Sequence, residues 1–222
     1  MPELKAVAFD VVETLMSLAE VPGRLAERGY PAGLFDAWFN RAVRDGMALA
    51  AAGGYRDFDE ICAAALRDIT GEEVEKATID HVLGGWDRFP AHDDVLPALE
   101  DLRAAGVRVI GLTTGSARTI SGFFAHNGLS EHVETVLSCA DVGVWKPAPG
   151  AYRYATTWLD LPPHQVALVA AHAWDCHGAK RAGLRTGWVS RLEGRYNPTF
   201  DPADVAADDL PAVVRGLLGS PV

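Results

Sequence analysis

Residues 4–14 read LKAVAFDVVET. The run from Leu4 to Phe9 is short, mostly apolar and compatible with a buried β-strand, and Asp10 follows it directly. A carboxylate at this point lies at the carboxyl edge of a sheet, which is where open α/β sheets bind ligands. The segment therefore predicts an α/β fold whose first strand ends in a candidate functional residue.

The pattern becomes helical after this strand, from about residue 17 to residue 89. Apolar residues at positions 58, 61, 62, 65, 66 and 69 form one stripe at helical spacing, and Gly53-Gly54 separates this helix from the one before it. No strand is predicted in this region. We expect a small helical cap domain over residues 15–90, inserted into a core formed by residues 1–14 and 91–222.

Strands and helices alternate in the second half of the chain. Asp93 or Asp94 is expected to cap the first of these helices through its carboxylate. The β-rich runs predict four further strands, at Val107–Leu112, Val133–Leu137, Val166–Val169 and Thr186–Val189. A last helix is predicted near Leu210–Leu218. Strands that are separated by helices indicate a doubly wound parallel sheet, so the predicted fold class is α/β with a Rossmann-like core.

The bulk composition limits the classes of partner. The 222-residue chain has a formal net charge of −10 and a pI near 5.1, so its surface repels nucleic acid and anionic membranes. The sequence contains no apolar run as long as the about 18 residues that a transmembrane helix needs. The residues from Met1 to Asp10 show neither the long apolar region nor the cleavage site expected of a signal peptide, and the three cysteines have neither disulfide nor metal spacing. These features predict a cytoplasmic protein.

Four polar residues are predicted to meet at one edge of the sheet. Asp10 and Thr113 follow predicted strands, Asp175 begins the helix after another strand, and Lys146 lies on a loop that enters a helix. Because parallel strands end at the same edge, the four side chains are expected to converge. Each residue alone has a structural explanation, since Asp often caps helices and Lys is often a solvated loop residue.

The order of these residues resembles the haloacid dehalogenase superfamily and, within it, the L-2-haloacid dehalogenase branch. The four motifs read FDVVETL with Asp10, GLTTGS with Thr113, VWKPAPGAY with Lys146, and LVAAHAWDCHGAK with Asp175. The similarity extends over nearly the whole chain. It implies a Rossmann-like core with a helical cap, and an Asp10 carboxylate that acts as a covalent nucleophile.

The resemblance also implies roles for residues outside the four motif positions. Thr14 matches the family's threonine four residues after the nucleophile, and Tyr152 matches a tyrosine of the dehalogenase branch. Both are expected to orient the groups around them. Arg41, in WFNRAVRDG, stands where dehalogenases carry a catalytic arginine on the cap. Its spacing from Arg44 and Asp45 equally suits a solvated, ion-paired helix face.

Two departures separate this chain from the phosphatases of the superfamily. Phosphatases have a second aspartate two residues after the nucleophile, which protonates the leaving alcohol, and here that position is Val12. They also hold Mg²⁺ with an acidic residue four positions before the one that matches Asp175, and here that residue is Ala171. A halide leaving group needs no protonation and a carboxylate substrate needs no Mg²⁺, so we predict no metal and no cofactor.

Other departures concern the substrate pocket. The dehalogenase branch commonly has Asn where this chain has Thr114, and Ser and Asn where it has Ala170 and His172. An aromatic residue is common at the position of Val12. These changes affect the expected substrate range more than the expected reaction.

The resemblance implies hydrolysis of a short 2-haloalkanoic acid through an ester on Asp10. Lys146 would keep Asp10 ionised, Arg41 would hold the departing halide after cap closure, and either Asp175 or His172 would activate water. The expected substrate-binding residues are Val12, Thr113, Thr114, Gly115, Ser116, Tyr152, His172 and Trp174. A homodimer is an expectation from the same resemblance.

Two other functions remain open from the sequence. One is a Mg²⁺-dependent phosphatase of small phosphoesters, and the other is an inactive binding domain. Three of the candidate site residues also have a purely structural explanation. Asp175 would only cap its helix, His172 would be a structural histidine, and Trp174 would be a packing residue. The expected partners are a small anionic substrate and a halide ion.

Overall fold

A computed structural model describes residues 3–71 and 74–219. Its six strands form one sheet in which every neighbouring pair is parallel, in the order β3-β2-β1-β4-β5-β6. The strands are β1 Ala6–Phe9, β2 Arg108–Thr113, β3 Thr135–Ser138, β4 Val166–Ala170, β5 Arg185–Val189 and β6 Val205–Ala207. The predicted doubly wound parallel sheet is confirmed.

Strand β1 lies in the middle of the sheet and is buried on both faces. Ala8 is paired with Ile110 of β2 and with Leu168 of β4, and every residue of β1 is fully buried. Parallel strands that are covered on both faces need such continuous apolar runs. The central position of β1 places Asp10 between the carboxyl ends of β2 and β4.

Helices cover both faces of the sheet. Residues of α5, α6 and α9 pack with Val7 and Phe9 on one face, while residues of α7 and α8 pack with Ala6 and Ala8 on the other. The helices are α1 Val21–Ala26, α2 Leu34–Ala51, α3 Phe58–Thr70, α4 Lys76–Leu83, α5 Val95–Ala104, α6 Ala117–His126, α7 Pro149–Leu159, α8 Ala173–Arg181 and α9 Leu210–Leu218.

Helices α1 to α4 occupy the region that the sequence predicts to be a helical cap. Helices α2 and α3 pack side by side, and the Trp38 indole of α2 donates a hydrogen bond to the Cys62 carbonyl of α3 at 2.7 Å. The division into core and cap stays a prediction, and its residues 1–2, 72–73 and 220–222 lie outside the described part of the chain.

One strand and one helix cap differ from the sequence expectations. Strand β6 was not predicted, because its three residues follow a Pro- and Asp-rich stretch and only partly face the interior. Asp94 precedes α5, but its side chain does not cap that helix. Its carboxylate instead accepts a hydrogen bond from the Leu210 N–H at 2.9 Å and pairs with Arg191 at 2.5 Å, which joins α5 to α9.

The helices in the described ranges are all too short or too polar to cross a membrane.

Trp145 anchors the helical region on the sheet domain. Its indole N–H donates to the Arg56 carbonyl at 2.9 Å, and its ring stacks on Phe58 with centroids 5.9 Å apart. Gly46 of α2 lies directly against the same ring, so that a Cβ at this position would stand 2.2 Å from a ring carbon. Close packing of α2 on Trp145 therefore requires glycine at position 46.

We predict that Gly46→Ala destabilises the protein. The added methyl group overlaps a buried indole that has no room to move, and such overpacking typically costs about 1–3 kcal/mol. Urea unfolding should show this loss. Gly23→Ala in α1 is the matched control, since its added methyl group would meet no other part of the protein within 4 Å. Equal stability of the two variants would contradict the packing of α2 against Trp145.

Candidate active site

Asp10 follows β1 at the carboxyl edge of the sheet. Its backbone N–H donates to the Val169 carbonyl of β4 at 3.0 Å, which extends the strand pairing by one residue. Only 6% of Asp10 is exposed. The carboxylate therefore has to be satisfied almost entirely by protein groups.

Thr14 fixes one oxygen of this carboxylate. Its hydroxyl donates to Asp10 Oδ2 at 2.6 Å and accepts a hydrogen bond from the Ala171 N–H at 2.9 Å. The second bond joins the turn after β1 to the residue after β4. Thr14 thus occupies the orienting position that the sequence suggests, and it also links two strand ends.

Lys146 connects two carboxylates in the interior. Its Nζ lies 2.7 Å from Asp10 Oδ1, 2.7 Å from Asp175 Oδ2 and 3.1 Å from the Leu112 carbonyl. These three acceptors use all three N–H groups of the ammonium. Tyr152 completes the arrangement by donating its hydroxyl to Asp175 Oδ1 at 2.6 Å. The structure therefore brings Asp10, Lys146, Tyr152 and Asp175 into one buried chain of hydrogen bonds.

The cluster holds Asp10 in its charged form. Burial alone would raise the pKa of Asp10, but the positive charge of Lys146 and the hydrogen bond from His172 outweigh it and place this pKa well below its ordinary range. Burial would likewise lower the pKa of Lys146, yet the two carboxylates raise it above its ordinary value. An ionised, partly desolvated carboxylate is the form that acts as a nucleophile.

His172 lies between two carboxylates. Its Nδ1 is 3.1 Å from Asp10 Oδ2, and its Nε2 is 3.0 Å from Glu13 Oε2. A neutral imidazole has only one N–H, whereas two carboxylate acceptors need two donors. The geometry therefore calls for the imidazolium form. Burial opposes the charge, but the hydrogen bonds with Asp10 and Glu13 raise the pKa of His172 to about 10.

Glu13 is a member of the cluster that the sequence analysis missed. It has a backbone φ of +65°, a left-handed conformation that non-glycine residues seldom adopt. Its side chain is only 12% exposed and faces His172. The available signal was a charged residue within the tight turn between Asp10 and Thr14, where a small residue fits more easily.

A cavity of about 370 Å³ opens beside His172 and Glu13. Trp174 forms part of its wall, and its ring centroid lies 5.1 Å from that of His172. Helix α2 supplies the opposite wall. The cavity is lined by Glu13, Phe35, Asp36, Phe39, Asn40, Val43, His172, Trp174, Leu192 and Glu193.

The second motif faces a different cavity. Thr113 Oγ1 accepts a hydrogen bond from the Gly115 N–H at 3.0 Å, and Ser116 caps α6 by accepting from Thr119. Thr114, Gly115 and Ser116 line a cavity of about 430 Å³ together with four acidic residues: Asp57 before α3, Asp59 and Glu60 in the first turn of α3, and Asp141. Val12 is buried and is not among the residues that line either cavity.

Arg41 is not brought to the carboxylate cluster. Its guanidinium pairs with Asp45 at 3.1 Å and with Asp68 of α3, so it braces α2 against α3. The residues of α2 that line the cavity beside His172 include Phe39 and Asn40, and not Arg41. The expectation of a cap arginine at the site is therefore not met, because position 41 lies on another face of α2.

Comparison with known proteins agrees with this architecture. The sequence model of the haloacid dehalogenase-like hydrolases matches residues 4–183. The chain belongs to this family. Its relatives include an (S)-2-haloacid dehalogenase of Pseudomonas sp. (strain YL), 26% identical over 97% of this chain and 95% of the relative.

A second relative and a solved structure extend the similarity. The (S)-2-haloacid dehalogenase 4A of Burkholderia cepacia is 28% identical over 90% of this chain and 88% of its own length. The L-2-haloacid dehalogenase from Xanthobacter autotrophicus, solved with chloropropionic acid covalently bound, superposes with a TM-score of 0.87 at 22% identity, covering 97% of this chain and 99% of that one. The resemblance to the L-2-haloacid dehalogenase branch is confirmed.

This haloacid dehalogenase-like hydrolase does not offer the donor set that Mg²⁺ requires. Magnesium needs about six oxygen ligands in octahedral geometry, but Ala171, at the position of the acidic metal ligand of the phosphatases, has no side-chain oxygen. The ammonium of Lys146 lies between the carboxylates of Asp10 and Asp175. Within the described ranges, no three His, Cys, Asp or Glu side chains are grouped to hold a metal ion.

We predict that Lys146→Met strongly destabilises this hydrolase. The variant leaves two buried carboxylates without their cation, and breaking a buried ion pair typically costs about 3–5 kcal/mol. Lys180→Met removes an ion pair with Asp204 near the surface and is expected to cost no more than about 1 kcal/mol. Urea unfolding at neutral pH compares them, and similar losses would contradict the structural role of Lys146.

We also predict that His172 makes stability depend on alkaline pH. Its pKa is raised from 6.5 to about 10 in the folded protein. Its contribution is therefore fully present below pH 6.5 and is lost as the pH rises towards 10, with a slope of at most about 1.4 kcal/mol per pH unit. Urea unfolding of wild type and His172→Gln over this range measures the difference. Parallel curves would show that the two carboxylate partners do not raise the pKa of His172 in the folded protein.

Proposed function

We propose that this protein hydrolyses short 2-haloalkanoic acids without a metal ion, through an ester on Asp10. The observation that carries the proposal is the state of Asp10, an ionised carboxylate held by Lys146, Thr14 and His172 at the edge of the sheet. Such a group can displace a halide from carbon. The absence of an acidic side chain at Val12 suits a leaving group that needs no proton.

The surroundings assign roles to the neighbouring groups. Lys146 keeps Asp10 ionised, and Asp175 with Tyr152 holds Lys146 in place. Thr114 and the N–H groups near Ser116, at the start of α6, are the proposed site for the substrate carboxylate, since helix N-termini bind anions. The electron pair that Asp10 donates to carbon displaces the halide, which leaves with the electrons of its own bond.

The halide is proposed to leave into the cavity beside His172. The wall that α2 contributes there consists of Phe35, Asp36, Phe39, Asn40 and Val43, and Asn40 carries its neutral hydrogen-bond donor for the ion. The proposal gives Arg41 no part in the chemistry, because Asp45 and Asp68 engage its guanidinium.

The family resemblance to dehalogenases supports the carbon–halogen bond as the target. Both relatives compared above are named (S)-2-haloacid dehalogenases, and the Xanthobacter autotrophicus enzyme was solved with chloropropionic acid covalently bound. A covalent intermediate on Asp10 is the corresponding proposal for this chain. A phosphatase would lack its acid at Val12 and its acidic metal ligand at Ala171.

The test is halide release from both enantiomers of 2-chloropropionate and from chloroacetate, with EDTA present. We expect turnover by the wild type and no turnover by Asp10→Asn. Asp101→Asn, an exposed aspartate of α5 that pairs with Arg215, is the matched control and should retain activity. Hydrolysis of p-nitrophenyl phosphate with added Mg²⁺, and no halide from any substrate, would favour the phosphatase instead.

A single turnover in oxygen-18 water identifies the nucleophile. If Asp10 attacks carbon, the first hydroxy acid carries an oxygen from Asp10, and the heavy oxygen appears in the Asp10 peptide. Direct attack of water on carbon would instead place the heavy oxygen in the product and leave the peptide unlabelled.

A further inference from the structure

The two oxygens of Asp10 have different environments. Oδ2 accepts two hydrogen bonds, from Thr14 at 2.6 Å and from His172 at 3.1 Å. Within the described part of the chain, Oδ1 has a single donor, Lys146 at 2.7 Å. A carboxylate oxygen presents two lone pairs to donors. Both lone pairs of Oδ2 are therefore engaged, while Oδ1 keeps one for a substrate.

We propose that Oδ1 of Asp10 is the nucleophilic atom, and that His172 and Thr14 stabilise the oxyanion that forms on Oδ2 when the ester is hydrolysed. Glu13 is the positioning residue that orients His172 and keeps it protonated. This inference rests on the proposed function, and it assigns the atoms that take part in its second step, the hydrolysis of the ester.

The bonds and charges balance in this scheme. A lone pair of Oδ1 forms the bond to carbon, and the halide leaves with the electrons of the broken carbon–halogen bond. Water then adds to Cγ of Asp10, and the carbonyl π electrons move to Oδ2. Collapse breaks the Cγ–Oδ1 bond, so Oδ1 leaves as the hydroxyl oxygen of the product. One water proton ends on that oxygen and the other passes to solvent, which restores the ionised Asp10.

His172 is suited to stabilise charge on Oδ2. An imidazolium N–H and the Thr14 hydroxyl point at this oxygen before any reaction occurs, and preorganised donors of this kind stabilise a developing oxyanion. Lys146 donates a hydrogen bond to Oδ1 and so stabilises the negative charge that develops on this leaving oxygen. Each oxygen of Asp10 therefore has its own cationic donor.

Neither of the two residues expected to activate water, Asp175 and His172, has a free acceptor for a proton of that water. Asp175 is completely buried, and its two oxygens accept hydrogen bonds from Lys146 and Tyr152. His172 donates through both nitrogens and has no lone pair to accept a proton from water. The geometry suits His172 as a donor.

Glu13 accounts for the protonation of His172 throughout the cycle. When the ester forms, Asp10 loses its charge, and the Glu13 carboxylate at Nε2 remains to stabilise the imidazolium. The other charged groups around His172 are Asp36 of α2 and Glu193, which line the same cavity, and Lys146 on the far side of Asp10. The left-handed backbone of Glu13 would suit glycine better, but only a residue with a side chain can make the contact with His172.

The first test removes the donor to Oδ2. With His172→Ala, ester hydrolysis should slow about 10²–10³-fold, which is a far larger loss than that of halide release in the first turnover. Mass spectrometry of the Asp10 peptide should then detect the accumulated ester. His172→Gln, which offers a neutral donor, should fall between the two. An equal slowing of halide release and hydrolysis, or no accumulation of ester, would overturn the assignment to His172.

The second test separates positioning from chemistry. With Glu13→Gln, His172 loses one of its two carboxylate partners, so its imidazolium loses its proton at a lower pH. The alkaline limb of the pH profile for ester hydrolysis should therefore move to lower pH, while halide release changes little. Glu27→Gln is the matched control, because Glu27 also accepts from a histidine, His81, at 2.7 Å, but outside the cluster. An unchanged alkaline limb in Glu13→Gln would exclude the positioning role.

The same measurements distinguish the two proposals. If the wild type releases no halide and forms no adduct, the proposed dehalogenation fails. If the wild type forms an adduct on Asp10 but His172→Ala hydrolyses it at the normal rate, dehalogenation stands and the role of His172 on Oδ2 falls.

Discussion

The buried ammonium of Lys146 is the interaction on which the site depends. Two carboxylates and a carbonyl surround it, and each comes from a different segment of the sheet edge: Asp10 after β1, Leu112 in β2 and Asp175 in α8. Buried charges are costly unless each has a well-placed partner. The loop before α7 must therefore pass under the ends of β1 and β2, which gives the site its shape before any ligand binds.

A second charged pair lies on the other side of Asp10. His172 and Glu13 form it at the ends of β4 and β1, so Asp10 lies between two cations that are each held by another carboxylate. Counting ionised forms, three carboxylates face two cations, and the formation of an ester would balance the charges.

The sequence predicted the sheet and much of the cluster for a physical reason. Apolar runs such as Leu4–Phe9 identify buried parallel strands, and residues that follow them, such as Asp10, are fixed in space by the strand. Glu13 and Arg41 were beyond such reasoning. Contacts of Glu13 depend on a left-handed turn, and the face that Arg41 occupies depends on the rotation of α2, which has apolar residues on several sides.

Trp145 and Lys146 are neighbours in the chain with two different attachments. The indole of Trp145 contacts Gly46 of α2, Phe58 of α3 and the Arg56 carbonyl between these helices, while the next residue, Lys146, binds the Asp10 carboxylate. The residue that packs against α2 and α3 and the residue that carries the central charge of the site are thus joined by one peptide bond. Any movement of these helices away from the sheet would therefore pull on the segment that carries the ammonium. The position of the Lys146 charge is therefore tied to the packing of α2 and α3 on Trp145.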